Sequence, residues 1–515
     1  MDYHKILLMK IFFKKYHLHI FAIFIFLLAL FLRTYNLPNI YVFNFDEEYQ
    51  ATYAWTQVLD PHPIWIGVSA SFLDFYLGPY FTYFTAVLLW ISKGDPMIGA
   101  YFAAFLGSIT TLAFFLIGWR IFNLTTGIIA SLLYATLPLF VFFDQKYWNT
   151  MFTPLITLLL FTQLYLVKKS IWFWVLYAAL AGAILQTHLE PIPLITIGLF
   201  YFLREGYWKN IRLLLVGVFV FALFYWPLAV FDYHHNFSNL TILSRFKEHL
   251  GDSKIAFNPY NKFQTLFDSM GRFWYLTPGN PNADEINFGC TSLSVRKEMA
   301  FIDKYAKRTY APIWLSAITL ILLTIFLKIS LRNQKREYRL LGIFLSVAII
   351  FFMIYPGGSS EYYTLSLLVL FTFIPGILIS KVKKYQFILF GLILIASLFG
   401  IYTVLKTSDE FSMGPKRVII AEVMKVIGDK SFAIEGRGVC HDYEGWRYLF
   451  KAYGRQPSMS YTDKNLGWLY PKEIDTTAPV YTVILSEDRI PLKEDLLALP
   501  SIKVGGYRAY IKKNL

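Results

Sequence analysis

The sequence predicts an all-α polytopic membrane protein with about eleven transmembrane helices, followed by a small C-terminal α/β domain. Hydrophobic residues make up 56% of the 515 residues, whereas charged residues make up only 16%. The mean hydropathy is +0.47. Soluble domains carry about 25% charged residues, so most of the surface of this protein is expected to face lipid in the cell membrane.

The first apolar run, residues 20–32, follows a lysine-rich stretch and precedes no small-residue cleavage site. It is predicted to be an uncleaved span with a cytoplasmic N-terminus. Further apolar runs are close to the roughly 20 residues that cross a bilayer. They lie at 97–118, 126–143, 151–167, 171–185, 189–203, 211–230, 311–329, 340–355, 362–379 and 385–405.

Basic residues mark the loops predicted to be cytoplasmic, at 168–169, 204–212, 332–339 and 381–384. These loops explain most of the net charge of +14, and no nucleic-acid partner is expected. A span at residues 76–91 would reverse the parity of every later loop. We therefore predict an interfacial helix there, with twelve spans as the alternative.

This topology predicts a transmembrane module over residues 1–406, with a first outer loop at about 33–96 and a long outer loop at about 231–310. Residues 407–515 regain charge and are predicted to form the extracytoplasmic α/β domain. Its expected strands lie at 431–434, 480–485 and 502–511, and its helix at 443–453. The two cysteines, Cys290 and Cys440, both lie in segments predicted to be extracytoplasmic, and a disulfide between them is a hypothesis.

Three consecutive acids, Asp46, Glu47 and Glu48, follow the first span. Neighbouring carboxylates repel one another, which favours either a bound cation or a raised pKa on one member, as suits a general base. A solvated acidic loop would have the same sequence, so that alternative stays open.

Other polar residues lie at the predicted extracytoplasmic ends of spans. They are Lys146, the pair His188 and Glu190, and the pair Glu361 and Tyr362. His188 and Glu190 are consistent with a metal pair, with a phosphate contact or with ordinary interfacial residues. Lys146 also fits a lysine that extends to the interface, and residues 356–363 also fit a tight turn. The predicted topology places all these clusters on the same side of the membrane, which would allow them to line one cavity.

An ordered set of motifs between about residues 33 and 207 resembles the GT-C superfamily of membrane glycosyltransferases, in the branch of the protein O-mannosyltransferases and the aminoarabinose transferases. The motifs are Arg33-x-Tyr-Asn-Leu, Phe45-Asp46-Glu47, Tyr76-Leu-Gly-Pro79, Tyr147-Trp148-Asn149 with Pro154, and Gln186-x-His188. The chain departs from these relatives at their second aspartate, for which Asp144 and Asn149 are the nearest candidates. It also has Gly78-Pro79 where some relatives have Pro-Pro or Lys-Pro.

The resemblance implies transfer of a sugar from a polyprenyl-phosphate donor to a hydroxyl of a lipid, glycan or protein acceptor, outside the membrane. It also implies that Asp46 is the catalytic base and Glu47 its partner. Direct displacement with one carboxylate predicts inversion at the anomeric carbon, unlike the paired carboxylates of glycoside hydrolysis.

The departing phosphate needs positive charge or hydrogen-bond donors. The candidates that bind the donor are Lys146, His188, Arg245, Arg272, Glu361 and Tyr362. A divalent metal ion is a further possibility, with Glu48 and Glu190 as ligands.

Two other function classes share the membrane composition. A polyprenyl-linked glycan transporter or flippase should show internal repeats and ionisable residues at mid-span, whereas the polar residues here gather at span ends. An envelope polysaccharide polymerase or ligase also uses polyprenyl carriers, but depends on Arg and His in late loops rather than on an Asp-Glu pair after the first span.

Overall fold

The computed structural model describes residues 3–69, 75–241, 259–278, 311–355, 361–437, 445–488 and 494–514. The helices of the first half are α1 (Tyr3–Thr34), α2 (Phe45–Leu59), α3 (Tyr80–Ile91), α4 (Met97–Ile117), α5 (Leu124–Thr136), α6 (Pro138–Phe143), α7 (Thr153–Leu166), α8 (Phe173–Ile184), α9 (Ile192–Arg204) and α10 (Ile211–His234). Those that follow are α11 (Pro259–Arg272), α12 (Ile313–Arg332), α13 (Arg336–Ile354), α14 (Leu365–Phe371), α15 (Phe373–Lys381) and α16 (Gln386–Lys406).

The protein is a multi-pass membrane protein. Within the described ranges, eight helical segments are long and apolar enough to cross a bilayer, namely α1, α4, α7, α10, α12, α13, the pair α14–α15, and α16, several of them extended by a short flanking turn. The other three predicted spans contain the shorter apolar helices α5, α8 and α9. Each of these three rises about 20 Å or less, against a hydrocarbon core of about 30 Å. The predicted all-α membrane fold is confirmed, and the count of eleven spans is not.

Two predicted spans are each divided into two helices. The run 126–143 breaks at Leu137, because Pro138 has no amide hydrogen and favours an extended residue before it. The run 362–379 breaks at Thr372, where Pro375 cannot donate to the carbonyl of Phe371. Both breaks follow from proline chemistry that the apolar run alone conceals.

Both predicted outer loops contain helices, and one of these helices was predicted, at residues 76–91. Helix α3 begins directly after Pro79 and packs against α2 and α4, and its placement at the membrane interface stays a prediction. The segment 231–310 was expected to be a long loop, but its described part includes α11, an amphipathic helix. An amphipathic helix has a periodic pattern without a long apolar run, so hydropathy alone does not predict it.

The C-terminal part forms a five-stranded mixed sheet. Its strands are β1 (Phe432–Arg437), β2 (Met459–Ser460), β3 (Tyr481–Glu487), β4 (Ser501–Val504) and β5 (Tyr507–Lys513). Their order is β2-β1-β3-β5-β4, with β1 parallel to β2 and β3, and β5 antiparallel to β3 and β4. The helices of this part are α17 (Met413–Ile427), α18 (Trp446–Tyr453), α19 (Asp463–Leu466) and α20 (Glu494–Leu497).

The α/β prediction is confirmed, with local corrections. The single strand expected at 502–511 is the hairpin β4–β5, which turns at Gly505, whose φ of 58° favours glycine. The helix expected to begin at residue 443 begins at Trp446. Helix α17 and strand β2 were not predicted, because neither has a long apolar run.

One hydrophobic core joins the sheet to the membrane part of the chain. Phe43, Ala51 and Leu89, from the first loop and from α2 and α3, belong to the same buried cluster as Trp446 and Tyr507. The C-terminal domain therefore lies against the first predicted outer loop, on the face where the acidic motif begins α2.

Candidate active site

The acidic motif forms the first turn of α2. The backbone N–H of Asn44, the residue before the helix, donates a hydrogen bond of 3.0 Å to Oε2 of Glu47. This contact is one half of a capping box, which fixes where a helix begins. Burial raises the pKa of Glu47, and the positive charge of the nearby Lys146 opposes the shift. Glu47 is thus committed to the start of its own helix.

Glu48 is bound to the C-terminal domain. Its Oε1 accepts a hydrogen bond of 2.9 Å from the backbone N–H of Tyr448, in the first turn of α18. The side chain is 1% exposed, and burial raises the pKa of Glu48 to about 7. A carboxylate at this position offsets unpaired amides at a helix N-terminus.

Asp46 differs from both neighbours because its side chain is exposed. Consecutive residues on a helix point about 100° apart, so three adjacent acids enter three environments. Of these acids, Asp46 is the one whose carboxylate can reach a substrate.

One electrostatic interaction and a series of ring contacts connect the first turn of α2 to the other predicted residues. Nζ of Lys146, the lysine that lowers the pKa of Glu47, lies 4.5 Å from the centre of the Trp148 ring. Trp148 packs edge-on against Tyr362, with ring centres 5.3 Å apart, and Tyr362 lies 5.5 Å from the ring of His188. Four clusters that are distant in sequence therefore lie near one another in the fold.

His188 and Glu190 are held in fixed hydrogen bonds. The backbone N–H of Glu190 donates to Nδ1 of His188 over 3.2 Å, and burial lowers the pKa of His188 to about 4. The imidazole is then neutral at pH 7 and carries its proton on Nε2. The Glu190 carboxylate accepts from the backbone N–H and the hydroxyl of Ser366, at 3.1 and 2.6 Å, and burial raises its pKa to about 8.

Arg272 and Glu361 are also brought together. Nε of Arg272 lies 2.7 Å from Oε1 of Glu361, and the arginine is 5% exposed. Glu361 immediately precedes Tyr362, so this ion pair adjoins the aromatic contacts of His188. Arg245, Cys290 and Cys440 lie outside the described residues.

Lys262 is a candidate that sequence reasoning missed. It lies ten residues before Arg272 on α11, is 1% exposed, and places Nζ 5.0 and 5.1 Å from the ring centres of Phe352 and Tyr355. Burial lowers its pKa to about 8. Residues 262, 265, 269 and 272 form one buried polar stripe of α11, and that helical spacing was the available signal.

Three contacts hold other residues of the motifs in place. The amide of Asn149 donates to the carbonyl of Thr187 over 2.7 Å. Asp144 forms a buried ion pair with Arg33. A Cβ on Gly78 would come within 2.1 Å of the Gln186 side chain, so these two motifs are in direct contact.

The two proposed metal ligands lie in different surroundings. Glu48 contacts α18 and Glu190 contacts Ser366. In the described part of the chain, no group of three His, Cys, Asp or Glu side chains has the arrangement of a metal site. The divalent ion stays a prediction.

Solved structures with a similar fold superpose on almost the whole chain. The aminoarabinose transferase ArnT from Cupriavidus metallidurans, bound to undecaprenyl phosphate, superposes with a TM-score of 0.57 at 12% identity, covering 95% of this chain and 97% of its own. Its apo form gives a TM-score of 0.58 at 11% identity, with the same coverage. The chain has the GT-C fold.

A second GT-C structure supports this assignment. The apo oligosaccharyltransferase from Archaeoglobus fulgidus superposes with a TM-score of 0.51 at 14% identity, covering 92% of this chain and 70% of its own. No family model and no curated protein sequence matches the chain. The GT-C fold predicted from the ordered motifs is therefore confirmed by structure, although sequence identity to these proteins is very low.

Proposed function

We propose that this protein is a membrane glycosyltransferase that moves a sugar from a polyprenyl-phosphate donor to a hydroxyl group of an acceptor. The observation that carries the proposal is the exposed carboxylate of Asp46, at the first turn of α2 in a chain with the GT-C fold. The solved ArnT that carries undecaprenyl phosphate supports the choice of donor class.

Asp46 acts as the general base in this proposal. Its carboxylate accepts the proton of the acceptor hydroxyl while the hydroxyl oxygen forms a bond to the anomeric carbon. The bond from that carbon to the phosphate oxygen breaks, and its electron pair leaves with polyprenyl phosphate. One direct displacement inverts the configuration at the anomeric carbon. Glu47 holds the first turn of α2 and thereby orients Asp46.

Cations near the packed rings of Trp148, Tyr362 and His188 stabilise the departing phosphate. Lys146 lies near Glu47, and Arg272 and Lys262 share the buried face of α11. Charge-assisted hydrogen bonds to phosphate are about twice as strong as neutral ones. His188 contributes as a neutral donor through Nε2, since burial lowers its pKa to about 4. Glu361 and Tyr362 orient Arg272 and His188.

The reaction takes place on the extracytoplasmic face. The basic loops support a cytoplasmic N-terminus. Contacts of the first loop with the C-terminal domain, residues 407–515, support a shared side of the membrane for both. The acceptor class is a lipid, a glycan or a protein.

The decisive experiment compares purified wild type with Asp46→Asn on a panel of polyprenyl-phosphate sugars. Wild type should transfer one of them with inversion, seen by NMR of the product, and Asp46→Asn should lose at least about 100-fold in rate. Asp60→Asn is the matched control, because Asp60 is an exposed acid at the other end of α2.

Equal rates for wild type and Asp46→Asn would refute the role of Asp46. Absence of transfer with every donor, together with movement of a lipid-linked sugar across vesicles, would instead support a transporter.

A further inference from the structure

We propose that Glu48 is a positioning residue, through which the C-terminal domain sets the place of the catalytic turn of α2. This inference rests on the proposed function, because the first turn of α2 carries Asp46, the proposed general base. Glu48 is two residues from Asp46, and it links the domain directly to the helix that carries the base.

The link is specific and buried. Oε1 of Glu48 accepts the N–H of Tyr448 over 2.9 Å across 400 residues of sequence. Lys416 and Arg447, both on the C-terminal domain, stabilise the ionised carboxylate by their charges. The backbone N–H of Arg447 also stabilises the carboxylate, so the first turn of α18 offsets the cost of burying Glu48.

The backbone before α2 is bound to the same domain. Nζ of Lys416 donates to the carbonyl of Phe43 over 2.8 Å, and the N–H of Met413 donates to the carbonyl of Tyr41 over 2.8 Å. Gly445, which directly precedes α18, packs so closely on Phe43 that a Cβ there would lie 2.5 Å from its ring. The domain therefore holds α2 at its first turn and along the chain that enters it.

This arrangement makes the position of Asp46 depend on the C-terminal domain. The first turn of a helix has few intrahelical hydrogen bonds, so contacts with neighbouring elements help to fix its position. A misplacement of about 1 Å costs a catalytic group up to about 100-fold in rate. Glu48 acts on catalysis through this placement and does not touch the substrate.

Three variants test the proposal. Glu48→Ala should lower kcat by about 10- to 100-fold with little change in KM. Glu48→Gln keeps an oxygen that accepts the Tyr448 N–H, and should restore kcat to within about threefold of wild type. Tyr453→Phe is the matched control, because it removes a hydrogen bond from the C-terminal domain to Asp95 and leaves α2 untouched. Its kcat should match wild type.

A second measurement does not need activity. Hydrogen–deuterium exchange of residues 45–50 should rise in Glu48→Ala and should match wild type in Tyr453→Phe. Unchanged exchange in Glu48→Ala, or an equal loss of kcat in Glu48→Ala and Tyr453→Phe, would overturn the positioning role. Failure of the proposed function would look different, because wild type would then transfer no sugar. The exchange of residues 45–50 would still show whether Glu48 fixes the first turn of α2.

Discussion

Arg33 and Asp144 form a buried ion pair between the end of the first membrane helix and the segment that carries Lys146 and Trp148. Nε of Arg33 donates to Oδ2 of Asp144 over 2.8 Å, and the side chains are 0% and 2% exposed. The hydroxyl of Tyr134 donates to Oδ1 over 3.1 Å. The pair ties α1 to the face on which the candidate active site lies.

Removing one partner of this pair should destabilise the protein strongly. Arg33→Met leaves the Asp144 carboxylate buried without its cation, which typically costs about 3–5 kcal/mol. The measurement is the free energy of unfolding in detergent. Lys425→Met is the control, because its pair with Glu422 is exposed and should contribute less than about 1 kcal/mol. Similar losses in both variants would contradict the structural role of Arg33.

Gly78 should not tolerate a side chain. In Gly78→Ala the new Cβ would displace Gln186, which accepts the N–H of Tyr80 and donates to the carbonyl of Phe224. Leaving these half-buried groups unpaired should cost about 1 kcal/mol or more. Gly391→Ala is the control, because a Cβ there meets nothing within 4 Å. Unfolding curves that overlay for Gly78→Ala and wild type would show that the two motifs do not pack as described.

Glu190 should make stability fall as the pH rises. Its pKa increases from its ordinary value of 4.5 to about 8 in the folded protein, so the folded state holds more protons than the unfolded state between these values. Stability then decreases across that pH window. Glu190→Gln removes the titration while keeping an acceptor for the Ser366 N–H, and its unfolding temperature should depend less on pH from 4.5 to 8 than that of wild type. An identical slope would contradict the burial of this carboxylate.

Lys262 should contribute to donor binding. Lys262→Met removes a buried positive charge on the face of α11 that also carries Arg272. Loss of one charge-assisted hydrogen bond should weaken binding of a polyprenyl phosphate by about tenfold or more, measured by titration of the lipid in detergent. Lys464→Met is the control, because Lys464 is exposed on the C-terminal domain. Unchanged affinity in Lys262→Met would remove this residue from the proposed site.

The sequence by itself determined the membrane class, the apolar segments and most of the candidate site residues. Composition and long apolar runs decide these properties, because lipid selects side chains directly. The ordered motifs from Arg33 to His188 were sufficient to predict the GT-C fold. Residues Lys146, His188 and Tyr362 are linked by ring contacts through Trp148, and the charge of Lys146 acts on Glu47.

Only the tertiary structure distinguished the three adjacent acids. Asp46, Glu47 and Glu48 are nearly equivalent as sequence, and their different environments come from Asn44 and from Tyr448, which lies 400 residues away from Glu48. The surroundings of Lys262 could not be predicted from the sequence for the same reason, because they include the rings of Phe352 in α13 and of Tyr355 directly after it. A side chain's exposure and pKa are set by the groups packed around it, and distant segments supply those groups only after folding.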